Sequence, residues 1–456
     1  MKTSSRRKTF EIAGSKIDFK RNEDGVVALW AEDDADLARG LGFAHANDRL
    51  VQMMLVRLVG QGRLCECLAN DDETLAIDIF MREMGLRRDA EADVANLGAA
   101  GRSLGDAYAE GVNHYLERHR RPLEFALVKY RPEPWKAADT LLTVKLMSYV
   151  GLAQSQQDME KLLIQMIHGG VPLDKINRLV APHLDGLDNE TAEFVRRLET
   201  IQPLLPAALR FLTALPTVMA SNNWAVAGSR TASGNPIQCN DPHLECNRLP
   251  AVWYEAVMHT SNDYRIGATM PGVPGLVMGR NRNLSFGFTY GFMDMVDYFI
   301  EDCRGGAYRR GDEFRPMDLR SETIRRKGDE PLRITIREND LGVLECDPLA
   351  PELNDGLYLT RAWSAQRNGA AVSLDALATL QKATTVPDGQ KAARKVTISC
   401  NWLLADRQGN IGYQQSGLMP VRRHSGLYPV PAWDESWHWR GLVPADRLHC
   451  EINPER

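Results

Sequence analysis

The hydrophobic period changes once along this chain, and the change falls near residues 200–220. Between Asp33 and about Leu212, apolar residues recur every three or four positions. Leu37, Leu41, Ala44, Leu50, Met54 and Leu58 make one such stripe, the mark of helices laid on a core. Asp33, Asp34 and Asp36 stand where the positive end of a helix dipole favours acids. Further helices are predicted over 86–120, 137–168 and 189–212, the last opened by Asn189 with Thr191 and Glu193. After Pro216 the runs become short, alternating and β-branched, which predicts strands over 223–227, 252–258, 284–290, 296–300, 332–336 and 398–404. One helix is predicted among them, over 373–383, with Ser373 as N-cap and Leu374, Leu377 and Leu380 on one face. The expected class is α+β: a helical region 1–200, a linker 201–220 carrying Pro203, Pro206 and Pro216, and a strand-rich region 221–456.

Composition narrows the function. The chain has 456 residues, 44% of them hydrophobic, enough for a large buried core. Its 55 Lys and Arg are outnumbered by 60 Asp and Glu, a net charge of −5 that argues against nucleic acid as a partner. No stretch approaches the roughly 20 apolar residues of a membrane span. The basic start, Met1–Lys8, leads into FEIAGSKIDFKRNEDG, which has no apolar segment of a signal peptide, so the cytoplasm is the expected compartment. The eight cysteines are scattered and read as reduced thiols; Cys65 and Cys67 lack a second pair at zinc spacing. Phosphate-binding and zinc-protease motifs are missing, and no organic cofactor is expected.

Gly101-Arg102-Ser103-Leu104-Gly105 fits the spacing of a hydrolase nucleophile elbow, which needs a strand before it and a helix after it. Helical patterns flank it on both sides, so it reads as a helix–helix connection. More informative is Ser221–Leu244, SNNWAVAGSRTASGNPIQCNDPHL. Two strands joined by the turn TASGN make a hairpin that ends at the polar corner Asn240-Asp241-Pro242-His243. On pattern alone, Ser221 is a turn or cap residue and His243 a structural histidine.

SNNWAVAG followed by NDPHL resembles the start of the β-chain in the penicillin acylase (penicillin amidase) family of N-terminal-nucleophile hydrolases. GFAHANDRLVQM (42–53), PGVPGLVMGRNRNLSFGFTYG (271–291), SCNWLLADRQGNIGYQQSGLMPVR (399–422), WHWRGLVP and Asn453-Pro454 resemble further family blocks in the same order. The resemblance implies a four-layer αββα fold and self-cleavage between Ala220 and Ser221, giving an α/β heterodimer. Ser221 would then carry its own α-amine, whose pKa of about 7.7–8.0 leaves part of it unprotonated near neutrality. One residue would supply both nucleophile and base. By the same resemblance, the Asn401 side-chain amide and the Tyr290 backbone N–H would receive the oxyanion. His243 would orient the amine, and Arg422 would hold Asn401 or a substrate carboxylate.

Asp294, the Val296 carbonyl and Asp297 resemble a calcium-binding segment, completed in relatives by an acid of the helical half, for which Asp158 is the match. Oxygen donors of this kind suit calcium, here a structural ion. Leu244 and the Met147–Leu152 segment would line an acyl pocket of aliphatic character. The implied activity is hydrolysis of N-acyl amides, penicillin- or cephalosporin-type or other linear amides, through a Ser221 acyl-enzyme. Two alternatives stand beside it: an acyl-homoserine lactone acylase of the same chemistry, and a truncated, non-catalytic remnant. The second arises because family members run well past the Asn-Pro block, so the rest of the β-chain would be a further partner.

Overall fold

The computed structural model describes residues 7–180, 187–199, 201–202, 221–244, 251–367 and 369–455. The chain opens with three strands, β1 (Lys8–Ile12), β2 (Ser15–Arg21) and β3 (Val27–Trp30). These were not expected, although Phe10, Ile12, Ile17 and Phe19 alternate in period two. Among the described residues ten α-helices follow: α1 (Asp34–Gln61), α2 (Leu64–Cys67), α3 (Asp72–Met84), α4 (Leu86–Asp93), α5 (Ala99–Arg118), α6 (Leu123–Leu127), α7 (Ala137–Ser148), α8 (Gln154–His168), α9 (Leu173–Val180) and α10 (Asn189–Arg196). The Asp33 carboxylate accepts from the Asp36 N–H, capping α1 at its sequence-predicted start.

Three helix predictions need correction. The 86–120 stretch breaks at Leu97 and Gly98, and the GRSLG segment lies within α5 rather than between helices. There the Asp375 carboxylate of a distant element accepts from the N–H groups of Gly98 and Gly101 at 2.7 Å, supplying the cap that local sequence lacks. The 189–212 helix is capped by Asp188, not Asn189, and ends at Arg196; residues 203–212 of that prediction lie outside the described residues. The 137–168 stretch is helical throughout, but a π-turn at Tyr149–Ala153 separates α7 from α8.

The second region adds β4 (Ser221–Val226), β5 (Ile237–Pro242), β6 (Tyr254–His259), β7 (Tyr264–Thr269), β8 (Met278–Arg280), β9 (Leu284–Tyr290) and β10 (Val296–Arg304). Then come β11 (Ala307–Arg310), β12 (Glu313–Pro316), β13 (Asp318–Arg326), β14 (Asp329–Glu338), β15 (Val343–Glu345) and β16 (Gly356–Trp363). Two helices, α11 (Ala370–Leu380) and α12 (Val386–Ala393), precede β17 (Cys400–Asp406), β18 (Ile411–Ser416), β19 (Val430–Pro431) and β20 (Cys450–Ile452). Ser373 is not the cap of α11. It sits inside that helix, bonded to Thr397, while Gly369 at φ 106° turns the chain in and the Asp93 carboxylate of α4 accepts from the Ala371 N–H.

One ten-stranded sheet runs β1-β2-β3-β6-β7-β8-β9-β17-β18-β20. Its β3 lies parallel to β6, so the regions 1–200 and 221–456 share a sheet and one large core. A second sheet of eight strands, built from β10 to β16 with β19, packs against α2, α3 and α8. Of the four layers expected, the described residues form a helical layer, the ten-stranded sheet and, on that sheet's other face, the separate hairpin β4-β5.

The two faces of β9 and β17 follow from their register. Tyr290 pairs with Cys400, Phe288 with Trp402 and Phe286 with Leu404, so these side chains share the face that α11 and α12 cover. Ser285, Gly287, Thr289, Asn401 and Leu403 face the hairpin.

Candidate active site

Ser221 is the first residue of β4 and stands opposite Pro242 of β5. Among the described residues, one side chain supplies the hydrogen bonds that join the hairpin to β9. Asn240 accepts from the Phe288 N–H through Oδ1 (3.0 Å) and donates through Nδ2 to the Phe288 carbonyl (3.0 Å) and to the Asn222 carbonyl (3.1 Å). Its amide thus pairs with β9 as a neighbouring peptide would. Gly287 makes the approach possible: a Cβ there would lie 2.5 Å from Asn240 Oδ1 and Gln238 Nε2.

Ser221 lines a cavity of about 140 Å³ at the end of the sheet, together with His243, Leu244, Leu152 and Tyr290. Val144, Met147, Val273 and Ile398 add aliphatic surface to an apolar wall that Trp253, Phe288, Phe292 and Trp402 share. Five of the residues singled out from sequence therefore share one cavity. The π-turn at 149–153 brings both Met147 and Leu152 to it, although they lie five positions apart. His243 is exposed and contacts Asp241 Oδ2 at 2.8 Å and Asn222 Nδ2 at 3.3 Å.

Asn401, in β17, faces the hairpin rather than the cavity. Its Nδ2 donates weakly to the Tyr290 carbonyl (3.3 Å) and to Thr289 Oγ1 (3.4 Å). Its Oδ1 accepts from the Tyr413 hydroxyl at 2.6 Å. The Gly291 N–H donates to the Ser399 carbonyl, which makes Tyr290–Cys400 a pair that exchanges no ladder hydrogen bonds. The Tyr290 N–H therefore points away from β17, toward the side where β8 pairs with β9 only as far as Phe286. A backbone donor aimed out of the ladder, next to a side-chain amide, can receive a developing oxyanion.

Arg422 does not hold Asn401. Its guanidinium pairs with Asp294 Oδ2 at 2.6 Å and Asp297 Oδ2 at 3.0 Å. The reason is electrostatic: Asp297 is fully buried and needs a counter-charge, which Arg422 supplies, while the Trp439 indole N–H donates a hydrogen bond to the same oxygen. Burial and the neighbouring Asp297 push the Asp294 carboxyl up to about 7.

Asp158 is exposed on α8, and the acid that α8 brings to this pair is Glu160. Glu160 accepts from the Tyr298 N–H at 3.2 Å, and burial, with Asp297 and Asp294 nearby, pushes its carboxyl well above the usual range. Among the described residues, Glu160 Oε2 and Asp297 Oδ1 are buried without a hydrogen-bond partner. Among the described residues no three His, Cys, Asp or Glu side chains converge to hold a metal, and at this corner Arg422 supplies the counter-charge. Two orphaned carboxylate oxygens beside a third acid nevertheless suit a hard cation in donor chemistry.

Four site residues escaped the sequence reading: Asn240, Thr289, Tyr413 and Glu160. Only Glu160 left a local signal, since it falls on the buried stripe with Leu163, Ile164 and Ile167 whereas Asp158 does not. Ala220 lies outside the described residues, as does most of the 201–220 linker. No helix among the described residues is long and apolar enough to cross a membrane.

Known proteins resemble this chain along its length. It is 33% identical to an acyl-homoserine lactone acylase, QuiP, of Pseudomonas aeruginosa, covering 94% of this chain and 53% of that protein. It is 30% identical to the penicillin acylase 2 proenzyme of Pseudomonas sp. strain SE83, over 96% of this chain and 57% of the relative. A thermostable penicillin G acylase from Alcaligenes faecalis, among solved structures, is 23% identical with a TM-score of 0.43, covering 51% of this chain and 42% of that chain. The chain thus spans about half the length of the relatives it matches in sequence. The family description "Penicillin amidase" matches residues 16–456, and the chain belongs to the penicillin amidase family.

Proposed function

We propose that this chain carries the nucleophile, oxyanion donors and acyl pocket of an N-acyl amide hydrolase. The observation that carries the reading is the shared cavity: Ser221 lies on the same apolar wall as Leu152, Leu244 and Tyr290. Cleavage after Ala220 would free the Ser221 α-amine and yield α and β chains. The Ser221 hydroxyl then attacks the acyl carbonyl carbon while the α-amine takes its proton. The oxyanion is received by the Asn401 Nδ2–H and the Tyr290 N–H. The proton passes to the leaving amine as the C–N bond breaks, and water releases the acid from the Ser221 ester.

The lining is apolar, with aliphatic and aromatic members, and suits an alkyl or aryl acyl group; acyl-homoserine lactones are the second reading within the same chemistry. Calcium at Glu160, Asp294, Asp297 and the Val296 carbonyl would be a structural ion, tested by a rise in Tm on adding calcium chloride. The central test is intact mass and N-terminal sequence after purification, with turnover of a long-chain acyl-homoserine lactone and a phenylacetyl amide. A new N-terminus at Ser221, and loss of turnover in Ser221→Ala, are expected. An uncut chain that turns over either substrate refutes the scheme. An uncut, inert chain that leaves a serine-directed acylating probe unreacted supports the non-catalytic remnant instead.

A further inference from the structure

Asn401 can serve an oxyanion only if its N–H end, not its carbonyl end, faces the reacting atom. We infer that Tyr413 of β18 is the positioning residue that fixes this orientation. The inference rests on the acyl-transfer reading above.

The two side chains meet across adjacent strands. Tyr413 stands opposite Leu403, one step along the same face from Asn401, which stands opposite Gln415. The hydroxyl donates to Asn401 Oδ1 at 2.6 Å, much the shortest of the amide's three contacts. A side-chain amide is nearly symmetric in shape, so its direction is set by its partners. On the far side the partner is the Tyr290 carbonyl, which can only accept, at 3.3 Å. A flipped amide would set two carbonyl oxygens against each other there. It would also reverse the short bond with Tyr413, so that the phenol had to accept and its own hydrogen lost this partner. The acceptor-only Tyr290 carbonyl selects the direction, and the shorter bond, from the phenol, holds the amide in it.

The bonds on the N–H side are long, 3.3 and 3.4 Å, so that side is not saturated. An incoming oxyanion can take a hydrogen the strand holds only loosely. Donation into Oδ1 also polarises the amide and strengthens Nδ2–H as a donor. Tyr413 is itself held: its ring lies 5.4 Å from that of His449, and β20 pairs beside it through Glu451. Burial, with Glu451 nearby, raises the phenol above its ordinary range, so it remains a donor at every working pH.

The test is a double-mutant cycle on the full chain, reading kcat and KM for a fatty-acyl p-nitroanilide. Asn401→Ala is expected to lose about 100- to 1000-fold in kcat. Tyr413→Phe, which removes only the hydroxyl, is expected to lose about tenfold in kcat with KM within about twofold, the effect of one net hydrogen bond. In the Asn401→Ala background, Tyr413→Phe is expected to change nothing beyond about twofold, because its partner is gone. Full activity in Tyr413→Phe, with Ser221→Ala inactive, overturns this inference alone. The same tenfold loss in both backgrounds overturns it too, by showing a structural role independent of Asn401. An active Ser221→Ala overturns the acyl-enzyme reading and this inference with it. A second readout does not need turnover: in protein labelled with [15N]Asn, the Asn401 side-chain amide signals, assigned by their loss in Asn401→Ala, should shift in Tyr413→Phe. Unmoved signals would overturn the inference.

Discussion

Replacing Asn240 by Ala should loosen the Ser221 hairpin without loosening the sheet beneath it. The Asn240 amide makes three hydrogen bonds, two to Phe288 and one to Asn222. Each is worth about 0.5–1.5 kcal/mol net, and at this half-buried site the lower half of that range applies. The total is about 2 kcal/mol, or about 30-fold in an opening equilibrium. A lone two-stranded hairpin is marginal in water, so little else holds it closed. Its outward face adds little, since Trp224 is 51% and Ile237 50% exposed. Native-state amide exchange on β4 and β5 is the assay, with β13 and β14 of the other sheet as internal reference. Exchange in the hairpin should quicken about 30-fold while the reference strands stay put. Gly287→Ala should give the same signature, because its Cβ would displace the same amide. Hairpin exchange within about twofold of the parent, or equal acceleration in both sheets, would refute the view that Asn240 is a local clip.

The remaining predictions concern stability. Burial pushes the Glu83 carboxyl up to about 7, against 4.5 for an exposed one. A raised carboxyl leaves the folded state unpenalised at low pH; as pH rises from about 4.5 the unfolded chain ionises first, so stability falls until about pH 7. Glu83→Gln should therefore gain about 3 kcal/mol at pH 8.5 and less than about 1 kcal/mol at pH 5, read by urea unfolding; equal gains at both would show that the carboxyl is not shifted. Gly111 of α5 lies against the Arg39 backbone carbonyl of α1, where a Cβ would overlap it. Gly111→Ala should cost about 3 kcal/mol, and a variant within about 0.5 kcal/mol of the parent would mean the helices cross less closely.

What could be read from the sequence was what local chemistry decides. The α1 cap at Asp33, the TASGN turn and the Leu284–Tyr290 strand needed only neighbours in the chain. Leu152 and Leu244, which line one cavity, are far apart in the chain, and only the family resemblance suggested placing them together. Misplaced elements have distant partners. Asp93 and Asp375 cap α11 and α5 from other elements, so neither helix start carries its own signal. Arg422 was assigned through the family resemblance, but a fully buried Asp297 attracts a guanidinium more strongly than a neutral amide can. Asp158 was chosen by position along the chain. The three-to-four spacing of Leu163, Ile164 and Ile167 already turned Glu160 inward and Asp158 out.

Alternation along β9 and β17 separates two tasks that an acyl-transfer site must combine. Phe288, Tyr290, Cys400 and Trp402 point to one face and wall the cavity. Thr289 and Asn401 point to the other, where the hairpin docks and where the proposed side-chain oxyanion donor lies. Ser221, at the end of β4, lies on the cavity wall while its own strand packs over Asn401's face. The arrangement depends on register alone. A slip of one residue in β17 would turn Asn401 toward the apolar helices and Trp402 toward the hairpin, removing donor and cavity wall together. The tie that prevents the slip is the pairing of β17 on both sides, seven residues with β9 and six with β18. Tyr413 lies on the second of these seams, so the strand that fixes the register also carries the hydroxyl that points the amide.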